Sequence, residues 1–158
     1  MTTPQSEAPS GRVVEEQFQI YFDDLDSMGL LHNVRYLLLF ERASAPLFRA
    51  LGFGSEAAAP EEAPDSNYVV ASNHCDYLIP VRGQGMVRVE VRVEALGTTS
   101  LTLGYVMRDA YRAVIHARGK RTIVHVDPGT LKPAPWNESA RSQISLFLSP
   151  EARATTCD

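Results

Sequence analysis

Asp26, Gly29, His32, Asn33 and Tyr36 fall in one short stretch, Asp26-Ser-Met-Gly-Leu-Leu-His-Asn-Val-Arg-Tyr36, between a strand-like run and a long apolar run. A carboxylate here lies close to the start of a helix. Free backbone N–H groups and the positive end of the helix dipole gather there, so developing negative charge is stabilised. A carboxylate can attack an acyl carbonyl or activate the water that does, and main-chain N–H groups can hold the tetrahedral oxyanion. The plain alternative is that Asp26 caps a turn, as aspartate often does.

The neighbours divide in the same way. Gly29 fits a left-handed or tight backbone that lets main chain approach a ligand. His32 can touch substrate or a bound water, or can be a surface residue at a helix start. Asn33 can orient substrate through its amide or serve as the helix N-cap. Tyr36, one turn on, is expected to line a pocket or pack in an interface. Glu41 is unusual on so apolar a helix. It is either one half of an ion pair with an arginine or a second candidate acid.

The elements that position these residues follow from periodicity. Residues 13–22 predict a strand with Phe18, Ile20 and Phe22 on one face. Residues 23–31 predict a turn and 34–51 a helix, apolar on most of its circumference. Pro46 should kink or break it, and Gly52 and Gly54 should stop it. Residues 55–65, rich in Ala, Pro and Glu, predict a mobile loop. Four strands follow over 68–80, 87–94, 100–108 and 112–126, read as a meander, with Gly119 as a bulge. Val87-Arg-Val-Glu-Val-Arg-Val-Glu94 alternates strictly, valines inward and charges outward. Asn137 can cap a last short helix. Such a sheet has one face that a single long helix can cover, an α+β arrangement.

The chain has 158 residues, which fits one domain able to bury roughly 70% of its unfolded surface. Residues 1–12 are expected to form a disordered tail, 13–148 a single domain and 149–158 a flexible C-terminal tail. The net charge of −4 argues against nucleic-acid partners and against anionic membranes. No apolar run is long enough to span a bilayer, and the first twelve residues, which lack an apolar core, are not expected to be a secretory signal. The two cysteines, Cys75 and Cys157, lie in unlike contexts without paired zinc spacing. No disulfide, metal or cofactor is expected, and a cytoplasmic location is the default.

The order Asp26, Gly29, Asn33, Tyr36, Phe40, Glu41, Arg42, Ala43 resembles the signature of the 4-hydroxybenzoyl-CoA thioesterase-like family. The similarity continues through Arg49-Ala-Leu-Gly52, Asp76-Tyr-Leu-Ile-Pro80, Leu96-Gly-Thr-Thr-Ser100 and Val124-His-Val-Asp127. The resemblance implies a hotdog fold, a five-stranded antiparallel sheet wrapped around one long central helix. It implies hydrolysis of an acyl-CoA or acyl-carrier thioester by Asp26, with N–H groups near His32, Asn33 and Val34 polarising the carbonyl. It also implies a homodimer or homotetramer joined at sheet edges. Arg118, Lys120 and Arg121 form the compact basic group, and on this reading they are candidates for the coenzyme A phosphates or else a solvated strand end.

Three alternatives stay open: a carrier-protein thioesterase, a hydratase or dehydratase of the same fold, and a non-catalytic acyl-CoA binder. Hotdog hydratases use an Asp and a His five apart around Asn-Pro. Here Asp26 and His32 are six apart and Asn-Pro is missing.

Overall fold

The computed structural model describes residues 11–53, 67–149 and 152. The loop expected over 55–65, Gly54 and most of both expected tails lie outside them. In chain order the elements are strand β1 (Val13–Ile20), a 3-10 turn (Phe22–Asp24), helix α1 (Asn33–Ala50), strands β2 (Tyr68–Tyr77), β3 (Gly85–Leu96), β4 (Ser100–Asp109) and β5 (Ile115–His125), and helix α2 (Glu138–Ser145).

The five strands form one antiparallel sheet in the order β1-β3-β4-β5-β2. Only β3, β4 and β5 are a meander. After α1 the chain crosses to the far edge, where β2 pairs with β5, so the expected four-strand meander is corrected. Inner-face valines Val87, Val89, Val91 and Val93 of β3 are buried, and Leu101, Leu103, Tyr105 and Met107 of β4 join them. This is the pleat of a sheet with one covered face.

α1 lies against that inner face through Tyr36, Leu39, Phe40, Ala43, Ser44 and Leu47, all buried. Phe40 sets the contact. Its ring stacks on Tyr105, centroids 4.8 Å apart, and lies against Gly119. A Cβ at position 119 would overlap that ring. Gly119 is therefore not a bulge. It pairs in unbroken register with Cys75 and Tyr105, and glycine is needed there for close approach of the helix. The irregularities near it lie instead between Val70 and Ser72 of β2 and at Met107 and Arg108, where β4 pairs with β5.

Other expectations are adjusted by local bonding. β1 ends at Ile20, and Phe22 is exposed rather than on the inner face, because Asp24 accepts the Tyr21 N–H at 2.9 Å and closes a turn. β5 begins at Ile115. Before it the chain reverses through Arg112, at φ 61°, with Asp109 accepting the Val114 N–H at 2.7 Å. α1 runs through Pro46 to Ala50 without a break. Asn137 does cap α2, accepting the Ala140 N–H at 2.8 Å. α2 and the segment after it close the end of the core with Ile144, Phe147 and Leu148.

Candidate active site

The chain between β1 and α1 is a small hairpin. Leu25 bridges to Leu31, the Asp26 N–H donates to Leu30 O at 2.7 Å, and the His32 N–H donates to Asp24 O at 2.9 Å. Asp26 stands at its tip. One carboxylate oxygen, Oδ1, accepts from Met28 N–H at 2.8 Å and Leu30 N–H at 3.1 Å. The other, Oδ2, accepts no hydrogen bond among the described residues. The turn-capping role and an available oxygen thus coexist in one half-buried side chain. Gly29 completes the tip at φ 71°, the left-handed conformation the sequence called for.

A second segment pins this hairpin. The Leu31 N–H donates to Val81 O and the Gly83 N–H to Gly29 O, both at 2.9 Å, while Leu30 bridges to Arg82. Val81 reappears at the helix, where its N–H donates to the Tyr36 hydroxyl at 3.3 Å. The Tyr36 phenol is buried, which pushes its pKa above the ordinary value, so the hydroxyl stays protonated.

At the start of α1 the N-cap is His32, not Asn33. His32 Nδ1 accepts the Val34 N–H at 3.4 Å. Asn33 is the first helical residue, and its N–H donates to nothing among the described residues. It is an orphan donor at the positive end of an 18-residue helix. Both side chains are exposed. A shallow hollow of about 270 Å³ lies beside His32, lined by Asp23, Leu25, His32, Val34, Arg35 and Leu38.

Tyr36 meets Tyr77 of β2 edge to face, centroids 5.0 Å apart, and the Tyr77 hydroxyl donates to Asn33 O at 3.3 Å. The edge strand therefore reaches the helix start. Asp26, Gly29, His32, Asn33 and Tyr36 are gathered along the hairpin and the first turn of α1. Glu41 is not with them. It lies two turns along the helix, exposed, with Oε2 3.7 Å from Nη2 of Arg121.

The basic group is split by the pleat. Arg121 faces inward and is buried, with Nε donating to Asn73 Oδ1 at 2.8 Å. Arg118 and Lys120 face outward and line a second hollow with His74, Asp76, Arg92 and Glu94. Lys120 pairs there with Glu94 at 2.9 Å, and Arg118 has no ion-pair partner among the described residues. Sequence reasoning missed Val81 and Asn73. The inward position of Arg121 was readable, since it shares parity with Gly119 and Ile123 along β5.

Among the described residues no group of three His, Cys, Asp or Glu side chains could hold a metal ion. No helix there is long and apolar enough to cross a membrane.

Comparison with known proteins identifies the family. The family model for the thioesterase-like superfamily matches residues 20–144, from the end of β1 to α2. The acyl-CoA thioesterase YbgC of Haemophilus influenzae is 26% identical over 125 residues, 78% of this chain and 88% of that protein. The uncharacterised protein YsmA of Bacillus subtilis is 33% identical over 125 residues, 79% of this chain and 80% of its own. A thioesterase from Thermus thermophilus, solved with coenzyme A and zinc, superposes with a TM-score of 0.70 at 27% identity, covering 85% of this chain and 94% of that one. With its sheet order, its central helix and these matches, the chain belongs to the thioesterase-like superfamily and has the hotdog fold.

Proposed function

We propose that the protein is an acyl-CoA thioesterase in which Asp26 is the essential carboxylate. The observation that carries this is the pairing of a half-tethered carboxylate with an unbonded helix-start amide. Asp26 Oδ1 is fixed by two N–H groups, Oδ2 is free to act, and the Asn33 N–H has no partner among the described residues. Oδ2 either attacks the thioester carbon or takes a proton from the water that does. The carbonyl oxygen gains the negative charge, which the Asn33 N–H and the helix dipole stabilise. Collapse of the tetrahedral intermediate expels the thiolate. In the nucleophilic route a mixed anhydride of Asp26 remains, and water then releases the free acid.

Gly29 and His32 shape the ground on which the acyl group sits, and Tyr36 holds Val81 and so the hairpin. The acyl-CoA thioesterase named among the relatives and the coenzyme A bound in the Thermus thermophilus thioesterase support coenzyme A as the carrier. Arg118, outward and without an ion-pair partner among the described residues, and its neighbour Lys120 are read as holders of the nucleotide phosphates.

The same reading includes assembly as a homodimer through the edge of β2. That strand is exposed along nearly its whole length, and an unpaired edge is a template for a second copy.

The test is thiol release from saturated acyl-CoA and aryl-CoA thioesters. Release of one thiol per acid formed is expected. Hydration of an enoyl-CoA without thiol release would replace the hydrolase reading with a hydratase. Tight acyl-CoA binding without turnover of either coenzyme A or carrier-protein thioesters would make the protein a binder.

A further inference from the structure

α1 and β2 form two rails of a groove on the inner side of the sheet. On the helix, Asn33, Leu37 and Glu41 recur every four residues and share one face. On the strand, Asn73, Cys75 and Tyr77 share the inner side, opposite Arg121, Gly119 and Ala117 of β5. The rails touch at one end, where the Tyr77 hydroxyl donates to Asn33 O. At the other end Glu41 and Asn73 both reach Arg121. From Asn33 to Glu41 the helix rises ~12 Å, and from Tyr77 to Asn73 the strand spans ~13 Å. The rails match in length, and between them the inner residues of β5 are buried, Gly119 under the Phe40 ring, so the groove is shallow. α1 packs chiefly over β1 and β3, so among the described residues the inner side of β2 is largely uncovered.

Arg121 closes the far end. It is 6% exposed, yet among the described residues only one of its guanidinium donors is in a hydrogen bond, Nε to Asn73. Its charged neighbour Glu41 stands 3.7 Å away, outside hydrogen-bond range, with a side chain 66% exposed. A guanidinium carries five donors, and a buried one calls for acceptors. Nearby, the Tyr105 hydroxyl is already taken by Ser44 at 2.8 Å. A fixed cation thus waits at the end of the groove, with a counterion that is free to swing into solvent.

We propose that this groove is the acyl channel and that Arg121 reads a carboxylate at the far end of the acyl group. The substrates would then be monothioesters of medium-length dicarboxylic acids rather than plain fatty acyl thioesters. The proposal rests on the reading that the thioester carbonyl lies at Asp26 and Asn33. A carboxylate is planar and takes two parallel N–H bonds from a guanidinium, and it would displace Glu41 from its loose position.

The experiment separates recognition from turnover. The S-decyl and S-carboxynonyl thioethers of coenzyme A cannot be hydrolysed, and calorimetry gives their affinities for the full chain. The wild type is expected to bind the carboxylated thioether at least ~10-fold tighter, as a charge-assisted pair allows. Arg121→Met should erase that preference. Glu41→Gln, at an exposed position, removes the competing carboxylate and should widen it. Equal affinities in the wild type would overturn the proposal, as would a preference that survives Arg121→Met. If Arg121→Met fails to fold, Glu41→Gln decides: an unchanged or narrowed preference makes Arg121 a packing residue that ties α1 to the sheet. Thiol release from sebacoyl-CoA and decanoyl-CoA is measured alongside. No release from either, with the thioether preference intact, would defeat the hydrolase reading and leave the recognition. Release from both, with equal thioether affinities, would do the reverse.

Discussion

β1 and β2 occupy the two edges of one sheet, yet α1 packs closely over the first and meets the second mainly through Tyr36 on Tyr77 and Phe48 on Tyr68. On β1, Ile20 is 1% exposed and Val14 and Phe18 pack against the core. Its outer side is held by Glu15, which bonds Arg88 and Arg112 at 2.8 Å each. β1 also carries Glu15 and Glu16, charges of the kind that discourage edge-to-edge pairing. β2 has exposed Val69, Val70 and Tyr77, and its single acidic residue, Asp76, is near its end. One edge is finished by the chain itself. The other is exposed along most of its length among the described residues. The difference separates two tasks. On the proposed reading, the β1 side delivers the hairpin that carries Asp26, and the β2 side borders the groove and offers the surface for a second copy.

The largest test of that division falls on the β1 side. Asp26→Asn keeps the side chain's shape and its Oδ1 hydrogen bonds, so folding and assembly should survive. The loss should appear in kcat, by about 10²–10⁴-fold for a general base and more for a nucleophile. Steady-state kinetics on one acyl-CoA checks it, with Glu41→Gln as the control. If Glu41→Gln abolishes turnover while Asp26→Asn stays near wild type, the acid belongs to the other end of the groove.

On the β2 side, Val70→Lys places a charge on an exposed edge, where two copies would meet with like charges. Light scattering should then give a monomer at micromolar concentration, with turnover falling as assembly is lost. A dimer that persists would move the interface to another surface.

A smaller effect is expected where β5 turns outward beside β2. Arg118→Ala should raise KM for a CoA thioester by several-fold and leave kcat alone, because uniform binding is what is removed. A pantetheine thioester, which lacks the nucleotide, should be affected less. Equal effects on both would exclude Arg118 as a phosphate contact.

The smallest effect belongs to the finished edge. The Glu15 carboxyl is held below the ordinary glutamate range first by its hydrogen bond to Arg112, with Arg88 adding to it against the opposing cost of burial. Its contribution to stability is therefore present above the unfolded glutamate pKa and is lost as pH falls through the lowered folded value. Glu15→Gln should lower Tm slightly at neutral pH, by up to about 1 kcal/mol of stability. The gap to wild type should close in acid. A gap that is constant with pH would mean the pair contributes through packing alone.

Local signals carried much of this to the sequence level. The alternation of β3 is visible because its valines are buried and its charges face out, as the periodicity required. The long helix, the glycine at the hairpin tip and the Asn137 cap are equally local. What could not be read was non-local. Nothing in Tyr68–Tyr77 says that it pairs with β5 rather than β3, because the crossover is decided by which faces remain uncovered after α1 docks. Gly119 looked like a bulge because a strand glycine has two common causes, and only the Phe40 ring distinguishes them. Asn33 and His32 are both plausible at a helix start, and the cap went to the residue whose N–H could first pair with Asp24 O. The basic group looked like one cluster because adjacency in sequence hides the pleat that sends Arg121 one way and Arg118 and Lys120 the other.

The register shift in β2 has a consequence for insertions and deletions. Val70 pairs with Ile123 and Ser72 with Thr122, so Ala71 is the residue in excess. Across it, the inner positions change from even to odd numbers: Tyr68 and Val70 before, Asn73, Cys75 and Tyr77 after. A chain shortened by Ala71 would keep every later residue on its present side. A chain shortened by one residue at His74 would turn Cys75 and Tyr77 outward and bring Asp76 in, unless the strand found a new irregularity to absorb the slip. Along this edge, the same one-residue change in length is silent at one position and rewrites the lining of the groove at the next.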